Sequence, residues 1–265
     1  MARELSVVVP TRNEAASIDP FLGALVPALD GIDAEVIFVD DSSDDTPAVI
    51  ERHAADSTLP VRLRHRALGE RADGLGGAVK LGFEAAEASL IAVMDVDLQH
   101  PPALLRPMVA TAMRDNADLV IGSRFTGAGR VGEFGLARRA VSHGSSRLAK
   151  LLFPRQLRQV TDPMSGYFLV RRERLVVDEL RPHGFKILLE VLVRSGPFRI
   201  AEVPYTFGER VAGTSKASLR EGCNYLAHLL RLRLSLGRAK PRALVPRDER
   251  ERLGDVRLGV ARVLE

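Results

Sequence analysis

The chain has 265 residues and is 46% hydrophobic, which suits one α/β domain with additional elements. Its single cysteine excludes an internal disulfide, and only 5% of its residues are aromatic, too few for the stacking platforms of a single-strand nucleic-acid binder. The net charge of +4 suits anionic small ligands, an anionic membrane surface and nucleic acid alike, and it is the lack of aromatic residues that leads us to expect no nucleic-acid partner.

The first half of the chain alternates apolar strands with helices. Strands are predicted at 5–10, 34–40, 61–65, 90–95 and 117–124, and helices at 17–29, 46–56, 74–88 and 101–115. Thr46 is the expected N-cap of the second helix. Such alternation predicts a parallel sheet covered on both faces, in which ligands collect at the carboxyl ends of the strands.

The second half departs from this pattern. A glycine-rich loop follows residue 125, and then a basic helix at 136–153, strands at 165–170 and 198–207, and a helix at 185–195 between them. A helix at 222–238 carries a polar stripe of Asn224, His228, Arg231, Ser235 and Arg238. Its apolar face fits an interfacial helix or a helix that packs on the domain, and the pattern does not choose between them.

The stretch "DVDLQHPP" (95–102) follows the apolar fourth strand and predicts a metal site. The period of two along an extended chain would place Asp95 and Asp97 on one side, with Gln99 after them. Two carboxylates and a carboxamide are hard ligands suited to Mg²⁺ or Mn²⁺, and a cation bridging to a diphosphate would relieve the repulsion between the carboxylates. The alternative is an ordinary turn. For His100 a structural role in that turn is at least as good an interpretation as a functional one.

The stretch "VDDSSDDT" (39–46) ends the second strand. Asp41 is the candidate for accepting a hydrogen bond from a base or ribose, and Asp40 is as readily a brace for the loop. The first strand ends in "PTRNE" (10–14) instead of a G-x-G-x-x-G turn, and no P-loop is present, which argues against a dehydrogenase and an NTPase.

Glycines and basic residues complete the candidate site. The stretch "GLGGA" (74–78) permits close helix packing or a loop over a nucleotide. Basic residues follow strand ends or lie in loops, and arginine suits bidentate phosphate recognition; they are Arg124, Arg138, Arg139, Lys186, Arg210 and Lys216. A metal, a diphosphate and further arginines indicate two phosphate groups, one on a donor and one on an acceptor.

Taken together, these segments resemble glycosyltransferase family 2, and more narrowly the polyprenyl (dolichyl) phosphate mannose synthases. The matching stretches are "VVVPTRNE", "VDDSSDDT", "GLGGAVKLGF", "DVDLQHPP", "IGSRF", "RRAVSHGSSRLAK", "DPMSGYFLVRR", "FKILLEVLVR" and "EVPYTFGERVAGTSK". The most specific are "DVDLQHPP" and the F-x-x-R-x-x-G-x-S-K pattern at 207–216.

The resemblance implies an α/β GT-A fold, with a mostly parallel central sheet flanked by helices. We expect a catalytic domain at 1–218, an amphipathic, membrane-interfacial helix at 219–240 and a charged tail at 241–265. The implied activity is inverting, metal-dependent transfer of mannose from GDP-mannose to a polyprenyl phosphate. With no signal region and no run of about 18 apolar residues, the expected location is cytoplasmic, peripheral on the membrane surface or held by a separate membrane-anchoring protein.

The resemblance also implies roles for individual residues. The positions that hold the nucleoside and line the donor are Pro10, Arg12, Glu14, Asp41, Asp95, Val96 and Asp97. The implied metal ligands are Asp97 and Gln99, and Asp95 joins them on the reasoning above. The acceptor phosphate is assigned to Arg124, Arg138 and Ser142. The loops that close over donor and acceptor contribute Lys186, Arg210 and Lys216, and the catalytic set is Asp97, Arg124 and Arg210.

One departure leaves the donor open. Arg12 stands where an aromatic residue is common in the family, so the contact with the base, and with it the nucleotide, is uncertain. The alternatives are a family 2 enzyme that uses another donor such as UDP-glucose, and a non-catalytic sugar-nucleotide-binding protein.

Overall fold

The computed structural model describes residues 3–127, 136–182, 184, 186–208 and 219–236, without the side chains of 136–143, 219–224 and 236. The strands are β1 Leu5–Thr11, β2 Ala34–Asp40, β3 Val61–His65, β4 Leu90–Val93, β5 Leu119–Ser123, β6 Phe168–Arg171 and β7 Ile200–Pro204. The helices are α1 Ala15–Ala28, α2 Thr46–Asp56, α3 Gly74–Ala85, α4 Leu105–Arg114, α5 Leu136–Leu152, α6 Pro154–Leu157, α7 Ile187–Arg194 and α8 Leu219–Leu236.

The strands form a 7-stranded sheet in the order β3-β2-β1-β4-β6-β5-β7. All neighbours are parallel except β6, which runs antiparallel to both β4 and β5. The expectation of a mostly parallel sheet flanked by helices is confirmed. The carboxyl ends of β1, β2, β4 and β5 share one edge of the sheet, where the predicted ligand residues follow them.

Each face of the sheet carries its own apolar core. Alternate residues of β1 point to opposite faces, with Val7 and Val9 in one core and Val8 in the other. The first core is completed by α1, α2 and α4, and the second by α3, α5, α7 and α8. In the second core a Cβ added at Gly82 would lie 2.2 Å from Cγ1 of Val8, so α3 lies directly on β1 only because this position is glycine. Close helix packing is therefore one use of this helix's glycines.

Two local expectations were wrong. Strand β4 ends at Val93, so the two aspartates of the "DVD" stretch lie in a bend and the strand period does not align them. Thr46 is the first residue of α2, and its hydroxyl accepts a hydrogen bond from the backbone of Glu14 instead of capping its own helix. Asp44 accepts the Thr46 backbone N–H at 3.1 Å, so the first N–H of α2 is bound by a residue of the preceding loop.

Of the polar stripe predicted for α8, Arg231 is exposed and Ser235 is half-buried, while the side chain of Asn224 and the whole of Arg238 lie outside the description. His228 is buried, as are Tyr225, Leu229 and Leu232, which pack against the core. Leucines also lie on the exposed face, as described below. Within the described ranges, no helix combines the length and the hydropathy needed to cross a bilayer.

Candidate active site

The loops after β1 and β2 are tied together at the shared edge of the sheet. Asn13 has a positive φ of 56°, which lets its backbone N–H donate to Ser42 Oγ at 2.7 Å while its side-chain oxygen accepts from Ser43 N at 2.9 Å. The Glu14 N–H donates to Thr46 Oγ1 at 3.0 Å. These bonds hold the "PTRNE" and "VDDSSDDT" stretches as one surface.

Three of the predicted nucleoside residues lie on the first of these loops or just before it. Pro10 is buried within β1, Arg12 is exposed, and Glu14 is partly buried. Glu14 Oε2 accepts a hydrogen bond from Ser17 at 3.3 Å, which orients the carboxylate against the start of α1. Arg12 is the one of the three that is open to solvent, and contact with a nucleoside stays a prediction for all of them.

Asp40 is a structural brace. Its side chain is fully buried and accepts from Thr11 Oγ1 at 2.7 Å, from Ser42 Oγ at 2.5 Å and from Ser42 N at 3.1 Å, and it pairs with His65 Nδ1 at 2.7 Å. Because its carboxylate oxygens are occupied by neighbours on three segments, the residue joins β1, β2 and β3 at this edge. The bracing interpretation of Asp40 is confirmed.

Asp41 has a partner that the sequence analysis missed. Arg66 donates from Nε to Asp41 Oδ1 at 2.7 Å and from Nη2 to Asp41 Oδ2 at 2.6 Å, and its guanidinium is 1% exposed. Burial by itself lowers the pKa of Arg66, but the hydrogen bonds to Asp41 and Asp73 outweigh it and the pKa is raised. Each carboxylate oxygen can accept more than one hydrogen bond, so a role for Asp41 toward a nucleoside stays a prediction. The only signal in the sequence was an arginine directly after a strand.

The segment around Arg66 is fastened by a second arginine. Arg71 donates to the carbonyl oxygens of Asp41 at 2.6 Å, Ser42 at 3.1 Å and Arg66 at 2.7 Å. Since these are backbone acceptors in two different segments, Arg71 fixes where Asp41 lies relative to α3.

The "DVDLQ" stretch turns sharply after β4. Leu98 has a φ of 60°, and the N–H of Gln99 donates to Asp97 Oδ1 at 3.1 Å. Val96 is 2% exposed in the core, so this predicted donor-lining residue can reach a ligand only through its backbone. The Asp95 side chain is 42% exposed, whereas Asp97 is 7% exposed.

His100 stabilises this turn through a hydrogen bond and ring packing. Its Nδ1 accepts from the Asp95 backbone N–H at 3.0 Å, and its ring lies 5.1 Å from that of Tyr167. A Cβ at Gly166 would lie 3.1 Å from His100 Cε1, so a glycine is needed where that chain passes. Burial lowers the pKa of His100 to about 4, with Asp97 opposing the shift. The ring is therefore neutral and structural at neutral pH.

The donor set fits a divalent cation. Among the described residues no group of three or more His, Cys, Asp and Glu side chains is arranged for a metal, and the site predicted at Asp95, Asp97 and Gln99 would combine two carboxylates with a carboxamide. Gln99 Nε2 donates to Gly208 O at 3.2 Å, which identifies its other side-chain atom as the acceptor oxygen. Mg²⁺ in proteins is commonly held by one or two carboxylates plus substrate phosphates, and this set has that composition.

Arg124 is held by a second residue that the sequence analysis missed. Its Nε and Nη2 donate to the two oxygens of Asp162 at 2.7 and 2.9 Å, and Asp162 is fully buried. The guanidinium also lies 5.5 Å from the centre of the Phe207 ring. Within the described residues Nη1 makes no hydrogen bond, so it is the donor left for a ligand. The "DPMSGYF" motif contained Asp162, but nothing in its spacing linked it to Arg124.

A small polar network holds Asp162 in place. The Thr161 N–H and hydroxyl donate to the two oxygens of Glu202, each at 2.6 Å. The same hydroxyl lies 2.7 Å from Ser123 Oγ at the end of β5. The segment with Asp162 is thereby joined to β5 and β7.

The remaining predicted residues are only partly placed. Lys186 directly precedes α7, and its Nζ donates to Met164 O at 3.2 Å. Arg138 and Ser142 lie on α5, with side chains outside the description, and Arg210 and Lys216 lie outside the described residues altogether.

Comparison with known proteins identifies the family of this chain. The family model "Glycosyl transferase family 2" matches residues 6–176. Relatives named dolichol-phosphate mannosyltransferase are 35% identical in Pyrococcus furiosus, over 86% of this chain and 63% of the relative, and 34% identical in Saccharomyces cerevisiae, over 88% of each. The chain thus spans less than two thirds of the P. furiosus relative. An undecaprenyl-phosphate mannosyltransferase from Micrococcus luteus is 32% identical over 80% of this chain and 86% of the relative.

A solved structure shows the same fold. Glucosyl-3-phosphoglycerate synthase from Mycobacterium tuberculosis, in complex with Mn²⁺, UDP and glucosyl-3-phosphoglycerate, superposes with a TM-score of 0.63 at 25% identity, over 88% of this chain and 79% of that one. The fold, the arrangement of the strand-end residues and the family match together lead to one conclusion. The chain belongs to glycosyl transferase family 2.

Proposed function

We propose that the protein transfers mannose from GDP-mannose to a polyprenyl (dolichyl) phosphate, with inversion at the sugar carbon. The observation that carries the proposal is the meeting of the "DVDLQ" turn with the Arg124–Asp162 pair. Phe207 joins them, with its ring 5.5 Å from the Arg124 guanidinium and 5.7 Å from the His100 ring that holds the Asp95 backbone. A carboxylate pair for a metal beside a buried arginine suits a reaction between two phosphorylated substrates.

This reaction needs no general base. A lipid phosphate is already an anion at neutral pH, so one of its oxygens can displace the nucleoside diphosphate from the sugar carbon without losing a proton. The buried His100 does not provide a free base, because its Nδ1 lone pair already accepts the Asp95 backbone N–H. The chain must instead bring two anions together, which Arg124 does by placing its open Nη1 toward the acceptor phosphate.

The metal would be held by Asp95, Asp97 and Gln99. When bound, Mg²⁺ or Mn²⁺ would supply a Lewis acid for the leaving diphosphate. The Gln99 N–H bond to Asp97 Oδ1 keeps that carboxylate directed while the ion is absent. At the nucleoside end, Arg12, Glu14 and Asp41 are the candidate contacts, with Asp41 positioned by Arg66.

The proposed location is peripheral, on the cytoplasmic face of a membrane. On α8, Leu226, Leu230 and Leu234 are 49%, 59% and 76% exposed at four-residue spacing, and Leu151 on the neighbouring α5 is 77% exposed. A helix face of this kind beside basic residues suits the membrane interface. A separate membrane-anchoring protein is the alternative occupant of the same face.

The test is a transfer assay with labelled GDP-mannose and a polyprenyl phosphate, with Mn²⁺, with Mg²⁺ and with EDTA. Label should move into the lipid phase only when metal is present. Asp115→Asn, a change at an exposed carboxylate far along the chain, serves as the matched control and should transfer at the wild-type rate. Transfer that is equally fast in EDTA would contradict the metal site.

A second candidate is transfer from UDP-glucose. It is favoured by the solved family structures that contain UDP-glucose and Mn²⁺, and by Arg12 at a position where the base contact is open. Parallel assays with the two labelled donors separate the candidates, since the true donor should have the higher kcat/KM. Metal-dependent binding of both nucleotides without turnover of either would instead indicate a non-catalytic sugar-nucleotide-binding protein.

A further inference from the structure

A second concave site lies away from the strand ends. A cavity of about 500 Å³ opens between α3, α7, α8 and the segment that precedes α7. Its lining consists of Asp73, Lys80, Leu180, Arg181, Pro182, Glu190, Arg194, His228, Arg231, Leu232 and Ser235. None of these residues belongs to the set assigned above to the donor, the metal or the acceptor. The volume is in the range of small-ligand sites.

The lining carries an excess of positive charge. Lys80, Arg181, Arg194 and Arg231 come from four different elements, against the two acids Asp73 and Glu190. The acids are already paired, Asp73 with Arg66 at 2.7 Å and Glu190 with Arg194 at 2.5 Å. What remains is the charge of Lys80, Arg181 and Arg231.

These three cations have little compensation from the protein. Arg181 donates to the backbone carbonyls of Asp178 and Leu180, which are neutral. Lys80 lies 4.0 Å from Glu84, at the limit of an ion pair, and Arg231 makes no ion pair within the described part of the chain. Like charges converging on one cavity repel each other, and an anion in the cavity would remove that repulsion.

The buried Glu190 carries an unused polar atom. Its Oε1 accepts from Arg181 N and from Arg194 Nε, whereas its Oε2 makes no hydrogen bond among the described residues and lies 3.6 Å from His228 Nε2. Burial raises the pKa of Glu190, with the two arginines opposing the shift. A protonated carboxyl here would offer an O–H to a ligand oxygen, and an ionised one would repel an anion. A fully buried polar atom that makes no hydrogen bond is costly unless a ligand or water supplies one.

We propose that this cavity binds a phosphate-class anion, separately from the strand-end site. Guanidinium groups recognise phosphate oxygens through paired N–H donors, and Arg181 and Arg231 approach from two sides of one opening. The apolar Leu180, Pro182 and Leu232 in the lining leave room for the carbon part of a phosphate ester. The anion can be a free phosphate or the headgroup of an acidic lipid, and the chemistry of recognition is shared.

The test is calorimetric titration of the full chain with inorganic pyrophosphate in EDTA, where the strand-end metal is absent. The Lys80→Ala/Arg231→Ala double variant should lose one class of site or bind about a hundredfold more weakly, as loss of about 1.4 kcal/mol for each of the two contacts implies. Arg233→Ala is the matched control, because Arg233 is an exposed arginine on the same helix that does not line the cavity. It should bind like the wild type.

The Glu190→Gln variant should change the affinity for pyrophosphate in the opposite direction. It keeps the side-chain shape, removes the acid and leaves an N–H₂ donor, so pyrophosphate should bind severalfold more tightly. Circular dichroism establishes that each variant is folded.

A second arm distinguishes the source of the phosphate. Flotation with vesicles of phosphatidylcholine, with and without phosphatidic acid, should show binding dependent on phosphatidic acid and on Lys80 and Arg231 if the ligand is a headgroup. Unchanged pyrophosphate and vesicle binding in the double variant would overturn the proposal. No sugar transfer is measured, so this result is independent of the proposed function.

Discussion

Two pairs of aspartates lie at the same edge of the sheet, one pair after β2 and the other after β4, and their contacts differ. Asp40 and Asp41, after β2, are buried and occupied by protein donors, including both N–H groups of Arg66 that face Asp41. Asp95 and Asp97 follow β4 in a bend, and the Asp95 side chain is 42% exposed. An aspartate after a strand is therefore evidence of a polar sheet edge, and the position of the nearest cation decides whether it builds the fold or faces a ligand.

The largest expected effect lies at the pair after β4. Asp97→Asn keeps an oxygen for the Gln99 N–H but removes the charge that would hold a cation. We expect transfer to fall by roughly a thousandfold, since a metal supplies several kcal/mol of transition-state stabilisation. Because Asp97 is buried, the unfolding free energy should also fall, by about 1 kcal/mol. The assay is labelled-donor turnover beside urea unfolding, and an unimpaired Asp97→Asn enzyme would end the metal assignment.

The next effect extends the comparison to the second half of the chain. Asp162→Ala leaves the buried Arg124 guanidinium without its bidentate partner. Breaking a buried ion pair in this way costs about 3–5 kcal/mol, which urea unfolding would measure. The double variant Asp162→Ala/Arg124→Met, in which no unpaired charge remains, should recover part of the loss. No recovery would mean that the cost comes from the Thr161 network and not from the pair.

A smaller loss of stability is expected when Asp41, the candidate nucleoside contact that is paired with Arg66, is replaced. Asp41→Ala removes both acceptors of Arg66, but Asp73 and the Gly74 carbonyl still bind that guanidinium. We therefore expect destabilisation at the low end of the buried-pair range, about 3 kcal/mol. Asp95→Ala, at the half-exposed position, should cost less than about 0.5 kcal/mol. Equal losses for the two variants would break the distinction drawn between the pairs.

The smallest effect is a pH dependence at Glu190. Its folded pKa is raised by burial above the ordinary value of 4.5, so the folded state holds a proton that the unfolded state has already lost. This contribution to stability is complete below pH 4.5 and is lost as the pH rises through the folded pKa. Relative to Glu190→Gln, the wild type should become progressively less stable over that window. Urea midpoints of both proteins across the pH range measure it, and parallel curves would contradict the raised pKa.

Much of the fold was predictable because its signals are local. Strands β2 and β3 and helix α2 have the predicted boundaries. The spacing of their apolar residues distinguishes strand from helix, and turn residues mark where each element ends. The errors came where a distant group competes for a side chain. The Thr46 hydroxyl accepts a hydrogen bond from Glu14 N in another loop instead of capping its own helix. His228 is buried beside Glu190, apart from the exposed Arg231 of the same predicted polar stripe.

The candidate site was predictable in its residue types and not in its partners. The stretch "DVDLQ" predicts hard metal ligands after a strand. Nothing in the spacing of the chain predicts that Arg66 pairs with Asp41 or Asp162 with Arg124. Those pairs span 25 and 38 residues. Asp41 and Arg66 meet because a parallel crossover brings the ends of β2 and β3 to one edge of the sheet, whereas Arg124 and Asp162 meet because β6 runs antiparallel to β5 and begins at the edge where β5 ends.

By itself, the sequence determined the alternation of strands and helices, the absence of dinucleotide and P-loop turns, and the family to which the chain belongs. All of these depend on residue type and on spacing within a short stretch. Only the tertiary structure decided which aspartates are paired, which arginine donor is left for a ligand, and where four basic residues surround a cavity. The reason is that the pairing of two charges depends on their distance in space. The free energy cost of burying a charge likewise depends on the groups that surround it in the folded chain.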